Sequence, residues 1–449
     1  MFFGMIRRLA LLVLLPALFT HAHPPGVEGS DPHKAELAPA SQLTGNKPRL
    51  SPLAEKPDWK QLEALSGVVG REEFEAALTN IYSDESSAAR PWKIEGDKVL
   101  IEIAPGQSPA VIAFRNPHAD DVPLAHNWHS VRELAPLKPG ELPLTGLHIA
   151  LDPGHIGGGY AKMEERWLSM KSGEAVLEGS LVLKVAQVLK PRLEALGARV
   201  SLVRSNEAPV TTSKPEDYKD AAHEVLAEAG IVNPKETYSG VVGDPKIITV
   251  QWQAEKLFYR VSEIRARARR VNEELRPDMV FCLHLNAEAW GDAGRPAFVP
   301  HNHFHLLING CYAPDEMQFE DVRFEMFQRL FHRVHEEERR MADVIAPAMA
   351  TATGLPPYLY MTKNARRVSG SPYVYARNLL ANRLYQCPVI YLEPYVMNHE
   401  ETYKRLLLGH FVGRTLMDGH LVSSPLEDYA RGVVNGIVDY CKRERRAAP

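Results

Sequence analysis

Four short runs of almost continuous apolar residues constrain the fold of this chain more than any other feature. Each run is four to seven residues long, which suits a strand better than a helix. Strands that are apolar on both faces are typical of a parallel sheet covered by helices on both sides. The runs are LHIAL at 147–151, RVSLV at 199–203, MVFCLHL at 279–285 and VIYL at 389–392.

Segments with helical spacing lie between these runs. Leu181 to Leu196 carries apolar residues at helical intervals and is followed by Gly197. Ile264 to Leu275 reads as a basic helix, and Phe319 to Ala350 as a long, charge-rich helical stretch. Because strands alternate with helices, we expect a doubly wound α/β domain over residues 141–449, with a mostly parallel sheet and helices on both faces.

The part before this domain divides into three predicted segments. Residues 1–22 contain Arg7 and Arg8, then an apolar run, then small residues. This order is typical of a signal peptide that is removed on export, and a buried helix is the alternative. Residues 23–57, rich in Pro, Ser, Gly and His, predict a flexible linker. Residues 58–138 combine helical spacing from Trp59 to Tyr82 with strand-like segments, which predicts a small α+β domain of unknown role.

Composition narrows the classes of partner. A formal net charge of −4 on 449 residues gives no strong attraction to nucleic acid. No stretch after residue 22 is long and apolar enough to span a bilayer, so we expect no stable membrane insertion once the signal peptide is removed. The four cysteines allow three full pairings, among which the sequence does not choose, and none forms the C-x-x-C pair of a zinc–thiolate site.

Polar residues stand where the apolar runs end. His155 follows the first run, His284 lies in the third, and Glu393 follows the last. Glu178 begins the helix after the first run and can reach the same edge of the sheet, where open parallel sheets bind ligands. Catalytic zinc usually takes three nitrogen or oxygen ligands, and a further carboxylate can act as general base. We therefore expect one zinc ion per chain at this edge.

The motifs around these residues occur in a familiar order between about residues 140 and 410. They are LHIALDPGH at 147–155, EGSLVLKVAQVL from Glu178, GARVSLVR at 197–204, the segment from Arg267 to Asn272 followed by FCLHLNA, and CPVIYLEPYVMN at 387–398. Together they resemble the zinc-dependent N-acetylmuramoyl-L-alanine amidases of the amidase-3 family.

The resemblance implies roles for individual residues. It makes His155, Glu178 and His284 the zinc ligands and Glu393 the catalytic acid and base. It also implies that an exported enzyme, in the periplasm or cell wall, hydrolyses the amide between N-acetylmuramic acid and L-alanine in peptidoglycan. A regulatory protein is not identified by the sequence. The alternatives are a zinc peptidase that acts on stem peptides and a cell-wall-binding pseudoenzyme, although the intact set of four residues disfavours the latter.

The chain departs from the family pattern in several places. Ile156 and Gly157 replace the usual pair of glycines, and residues 206–262 and 288–386 form enlarged insertions. The acidic stretch 316–338 in the second insertion is interpreted either as a solvated helix face or as a helix that covers the site. His332 and His335, in the same stretch, are expected on a helix surface.

Other residues compete for roles at the site. Glu174 is the rival of Glu178 for the second ligand, and the family register favours Glu178. His301, His303 and His305 would share one face of an extended strand and offer an alternative metal site, but without an apparent carboxylate partner. Asp152 is expected either to support a ligand or the loop beside the metal, or only to form a structural Asp-Pro turn.

Overall fold

The computed structural model of the protein describes residues 49–83, 90–118, 126–170, 174–240, 245–288 and 297–445. The predicted signal peptide and residues 23–48 of the predicted linker lie outside these residues. Across the described ranges, no helix is both long enough and apolar enough to cross a membrane.

The N-terminal part contains two short helices and a small antiparallel sheet. The helices are α1 (Lys60–Glu63) and α2 (Arg71–Ala77), which continues into a π-helical turn (Leu78–Tyr82). The strands are β1 (Trp92–Glu95), β2 (Lys98–Ile101) and β3 (Ala110–Ala113). Phe74 in α2 packs on Phe327 and Phe331, with ring centroids 6.1 and 5.6 Å away. The boundary drawn at residue 138 stays a prediction.

The remaining strands and helices follow in chain order. The strands are β4 (His148–Pro153), β5 (Trp167–Leu168), β6 (Val176–Leu177), β7 (Arg199–Leu202), β8 (Met279–Leu283), β9 (Phe304–Ile308), β10 (Arg366–Arg367), β11 (Val374–Ala376), β12 (Val389–Pro394), β13 (Thr415–Met417) and β14 (His420–Val422). The helices are α3 (Glu178–Ala195), α4 (Lys219–Glu228), α5 (Val250–Lys256), α6 (Glu263–Arg269), α7 (Glu320–Phe331), α8 (Val334–Thr353), α9 (Leu380–Leu384), α10 (Glu400–Leu407) and α11 (Pro425–Glu444). Two further π-helical turns, Leu257–Ser262 and Arg270–Leu275, flank α6.

Within the described residues, seven strands form the main sheet in the order β10-β11-β9-β12-β8-β4-β7. The pairs β7–β4, β4–β8, β8–β12 and β9–β11 are parallel, whereas β9–β12 and β10–β11 are antiparallel. The four apolar runs are β4, β7, β8 and β12, as the sequence predicted. Because β4, β8 and β12 are adjacent and parallel, their carboxyl ends meet at one edge.

Both faces of the sheet are buried. Phe281 and Leu392 point into one apolar core, which also contains residues of α3, α8 and α11. Their neighbours Cys282 and Tyr391 point into a second core, which α6 and α9 help to cover. Alternate residues of one strand thus enter different cores, as the strand period of two requires. The expected α/β class, with a mostly parallel sheet and helices on both faces, is confirmed.

The acidic stretch 316–338 was expected to be either a solvated helix face or a helix that covers the site, and it is neither. It contains α7 and the start of α8, with a break at Arg333, whose φ is 56°. Glu320, Asp321 and Glu338 are all at most 2 % exposed. They are paired instead of solvated: Glu338, for example, forms a salt bridge with Arg329.

His335 was also expected on a surface and is instead 6 % exposed, against the ring of Tyr82. The interpretation failed because α8 packs on other elements along more than one side. The stretch 316–338 therefore belongs to the interior between the N-terminal elements and the main sheet.

The second insertion contributes part of the main sheet. Strands β9, β10 and β11 all lie between residues 288 and 386, and β9 pairs directly with β12. All four cysteines are buried and free.

Candidate metal centre

The three predicted zinc ligands lie together. Nε2 of His155 is 3.3 Å from Oε2 of Glu178, and Nδ1 of His284 is 3.1 Å from Oε1 of the same carboxylate. One ligand atom from each side chain lies within 4.8 Å of the other two. Among the described residues, this is the group of His, Cys, Asp and Glu side chains close enough to hold a metal ion. Their role as ligands stays a prediction, but the sequence was right to expect them in one place.

His155 is held on strained backbone just after β4. Its φ is 54°, in the left-handed region that costs a non-glycine residue free energy. Arg267 in α6 stabilises this turn, since its guanidinium donates to the carbonyl oxygens of Pro153 and His155, both at 2.8 Å. Asp152 accepts from Arg267 at 2.9 Å. Asp152 thus orders the loop through Arg267, one of the two roles the sequence left open.

Glu178 is the first residue of α3, so the helix N-terminus favours its negative charge. Its Oε1 also accepts the backbone N–H of Leu285 at 3.2 Å. Burial alone would raise the pKa of Glu178, but His155 and His284 together hold it far below its usual value. The carboxylate therefore stays ionised, as a metal ligand must.

His284 follows β8 and is fixed from two sides. Its ring stacks on that of Tyr391, with centroids 5.1 Å apart and planes 18° apart. On the other side it lies against the Cα of Gly154, where an added Cβ would come within 2.2 Å of the imidazole. Burial lowers the pKa of His284, which keeps the ring neutral and able to ligate.

Two residues of the loop between β4 and β5 also reach the site, and sequence reasoning did not find them. Oε1 of Glu164 is 3.7 Å from Nδ1 of His155, and its carboxylate accepts backbone N–H groups of Ile156 and Gly157 at 2.8 to 3.0 Å. Burial lowers the pKa of His155, but Glu178 and Glu164 outweigh it and leave that pKa above its usual value. Arg166 Nε lies 3.3 Å from His155 Nε2.

Glu393 lies on β12 and lines the same cavity as the three ligands. It points to the same face of the sheet as Tyr391, because the two residues are two positions apart on one strand. It does not belong to the group of three residues whose ligand atoms lie close enough together to hold a metal ion. The structure thus brings all four predicted residues to one cavity, with Glu393 apart from the ligands.

The competing residues lie elsewhere. Glu174 is exposed and is not in the metal group. His301 and His303 both contact the carboxylate of Glu288, at 3.2 and 3.1 Å, so the carboxylate partner that the sequence seemed to lack does exist. His305 is fully buried in β9, where its Nε2 is 3.1 Å from the hydroxyl of Tyr360.

The cavity that holds the site is formed by buried or half-buried residues only. Its floor is the sheet face with Asp152, Leu307 and Tyr391. Its walls include Tyr259 and Arg260 from the π-helical turn before α6, and Arg377, Leu379, Leu380 and Ala381 around the start of α9. No residue of the stretch 316–338 lines it. The idea that this stretch covers the site is therefore wrong.

The residues fit a catalytic zinc ion. Two imidazole nitrogens and one carboxylate oxygen are a known donor set for zinc, and three protein ligands leave one position for water or substrate. The absence of a Cβ at Gly154 leaves the space in which the ring of His284 lies. Glu164 faces Nδ1 of His155, as a carboxylate commonly faces the nitrogen of a zinc-bound imidazole that does not bind the metal.

No protein-family model matches the chain, and no curated protein matches it. Solved structures with a loose likeness include the N-acetylmuramyl-L-alanine amidase Ami1 from Mycobacterium abscessus, 17 % identical over 66 % of this chain and 99 % of that one, with a TM-score of 0.34. Another is the CwlD amidase from Clostridioides difficile in complex with the GerS lipoprotein, 12 % identical over 66 % of this chain and 100 % of that one, with a TM-score of 0.37. At TM-scores this low the likenesses indicate no activity for this chain.

Proposed function

We propose that this protein is a zinc-dependent N-acetylmuramoyl-L-alanine amidase that cleaves the amide between N-acetylmuramic acid and L-alanine in peptidoglycan. The observation that carries the proposal is the meeting of His155, Glu178 and His284 in one cavity with Glu393. These four residues come from motifs that resemble the amidase-3 family in their order along the chain.

The chemistry divides among these groups. Zinc bound by the three ligands would polarise the scissile carbonyl and lower the pKa of water. Glu393 takes a proton from the attacking water and gives it to the amine that leaves. Glu178 stays ionised and His284 neutral, as ligation demands. Tyr391 holds the ring of His284 in place by stacking, and Glu164 holds that of His155 from behind.

Mass spectrometry of digested peptidoglycan tests the proposal. An amidase releases intact stem peptides and leaves glycan strands without peptide. A zinc peptidase would instead shorten the stems, and a pseudoenzyme would leave the material unchanged; either outcome would overturn the proposal. The matched control is Glu393→Gln, which should release stem peptides roughly a hundredfold more slowly or less while it retains zinc.

Export is part of the proposal, because peptidoglycan lies outside the cytoplasm. It is supported by the basic, apolar and small residues in order over 1–22. N-terminal sequencing of the mature protein should begin near His23. Recovery of protein that still begins at Met1 from outside the cytoplasm would contradict signal cleavage.

A further inference from the structure

One positively charged side chain lies directly against two of the predicted metal ligands. Nε of Arg166 is 3.3 Å from Nε2 of His155 and 3.6 Å from Oε2 of Glu178. These two ligand atoms are themselves only 3.3 Å apart. Among the residues that the structure describes, Arg166 is the one arginine or lysine that forms a hydrogen bond or ion pair with the side chain of a predicted ligand.

The contact with His155 uses the atom that a metal ion would need. Nε of Arg166 carries a hydrogen and donates it, so Nε2 of His155 accepts with its lone pair. Glu164 faces the other ring nitrogen, Nδ1, and favours the tautomer that leaves this lone pair on Nε2. A neutral imidazole has one such lone pair, which can bind a hydrogen or a metal ion but not both.

The contact with Glu178 has a parallel consequence for charge. This carboxylate is buried, and a buried carboxylate is stable only when cations or hydrogen-bond donors lie beside it. Arg166 supplies positive charge at Oε2, while Oε1 faces His284 and the backbone N–H of Leu285. A divalent ion bound by the same carboxylate would repel the guanidinium, because both are positive and the local dielectric is low.

The backbone of Arg166 is fixed, so only its side chain can change place. Its N–H donates to the carbonyl of Ala161 at 2.9 Å, and its carbonyl accepts the N–H of Glu178 at 3.1 Å. The next residue, Trp167, pairs with Leu177 in the two-stranded sheet of β5 and β6. The side chain of Arg166 is 23 % exposed and lines the cavity, which leaves it space to turn away from the ligands.

We propose that Arg166 competes with the metal ion for His155 and Glu178, and that its side chain turns into the cavity when the ion binds. The guanidinium and the ion satisfy the same lone pair and the same carboxylate, so the two exclude each other. The inference rests on the metal centre of the proposed function and adds an internal competitor that lowers metal affinity. The loop between β4 and β5 is thereby the element that regulates metal uptake.

Zinc affinity tests the inference without any measurement of activity. Arg166→Met removes both the charge and the donor, and it should lower the dissociation constant for zinc about fivefold to a hundredfold, the usual range of coupling between two binding events. If Arg166 instead held His155 in place for the metal, the same change would raise that constant. Competition with a chelating dye measures it, and an equal or higher constant in Arg166→Met would overturn the inference.

Two further variants locate the effect. Arg166→Lys keeps the charge, so its dissociation constant for zinc should stay closer to that of the unchanged protein than to that of Arg166→Met. Lys162→Met is the matched control, since it removes a positive charge from the same loop. Lys162 lies over the ring of Trp167 at 5.1 Å and contacts no predicted ligand, so this variant should bind zinc as the unchanged protein does. Thermal melting in the presence of a chelator checks that each variant folds.

The coupling must also act in the other direction, because linkage is reciprocal. Phenylglyoxal modifies arginine side chains, and mass spectrometry of the digested protein locates each modified residue. Added zinc should raise the rate of modification of Arg166 several-fold. It should leave unchanged the rate at Arg339, an exposed arginine of α8 outside the cavity. A rate at Arg166 that zinc leaves unchanged or lowers would overturn the inference.

These measurements separate failure of this inference from failure of the proposed function. Zinc bound with equal dissociation constants by the unchanged protein and by Arg166→Met would reject the competition and leave the metal centre standing. No zinc bound by the unchanged protein or by any variant would reject the metal centre and the competition together.

Discussion

The carboxylate of Glu164 lies 3.7 Å from Nδ1 of His155, on the side of the imidazole away from the nitrogen that faces Glu178. Backbone N–H groups of Ile156 and Gly157 hold that carboxylate in place. A carboxylate so placed keeps the proton on Nδ1 and leaves Nε2 to bind a metal. The charge of one buried side chain thereby favours the tautomer in which a predicted ligand can bind a metal.

Glu164→Gln should lower zinc affinity by about tenfold to a hundredfold, the usual effect of removing a group that orients a metal-bound imidazole. The amide oxygen can still accept the backbone N–H groups, so the loop should keep its form. Competition with a chelating dye gives the dissociation constant. The control is Glu165→Gln, next along the chain, whose carboxylate pairs with Lys246 instead of His155. Equal zinc affinity in the two variants would show that Glu164 does not act on His155.

Gly154→Ala should weaken zinc binding about as much as loss of a ligand, although Gly154 itself supplies no ligand atom. The added methyl group would meet the ring of His284 at 2.2 Å and force it to move. Metal analysis should find about one zinc per chain in the unchanged protein and little in this variant or in His284→Ala. Gly159→Ala is the matched control, since nothing lies within 4 Å of a Cβ there. Full zinc occupancy in Gly154→Ala would contradict the position of His284.

Glu393→Gln should keep the fold and the zinc but lower turnover by roughly a hundredfold or more, the usual scale of general acid–base catalysis. Gln has nearly the same shape as Glu and cannot exchange the proton. Zinc content, thermal melting and turnover should be measured on one sample. Loss of zinc would make Glu393 a ligand, and near-normal turnover would place the proton transfer on another group. A lower melting temperature with little specific loss of rate would indicate a structural residue.

Most of the main sheet could be predicted from the sequence, because its central strands are buried on both faces and appear as short apolar runs. Phe304 to Ile308 is also such a run, yet β9 was placed within an insertion. A run alone does not reveal that a strand pairs antiparallel with β12, since only the register of hydrogen bonds distinguishes the two directions. The sequence therefore predicted the class of the sheet but not all of its strands.

The meeting of His155 and His284 could be predicted because strand ends limit where the two residues can lie. The place of Glu164 could not, since it lies on irregular backbone whose course depends on tertiary hydrogen bonds. The burial of His335 was not predicted for another reason. A helix that packs on several sides has no single polar face, so its charged residues wrongly suggest a solvent-exposed face.

The burial of His335 predicts a pH dependence of stability. Burial lowers the pKa of its imidazole to about 4, below the ordinary value of 6.5. The unfolded chain therefore binds a proton at this site that the folded protein does not, between these two values. The resulting stability is present above pH 6.5 and is lost as the pH falls toward 4, by about 3 kcal/mol in total.

Chemical denaturation at several pH values between 4 and 7 measures this dependence. His335→Gln should flatten the fall in the free energy of unfolding over this range, because Gln does not titrate. His118→Gln, at an exposed position, should leave the slope unchanged. An unaltered slope in His335→Gln would show that other groups cause the loss.

The separation of the ligands along the chain affects when a metal can be taken up. His155 and Glu178 lie close in sequence, whereas His284 is 106 residues beyond Glu178. It reaches them only when β8 pairs in parallel with β4, a contact that forms late because a long loop must close first. Capture of the ion during refolding should therefore coincide with protection of the amide of Gly154, which donates to the carbonyl of Leu283 at 2.9 Å, so that zinc uptake reports when these two strands pair.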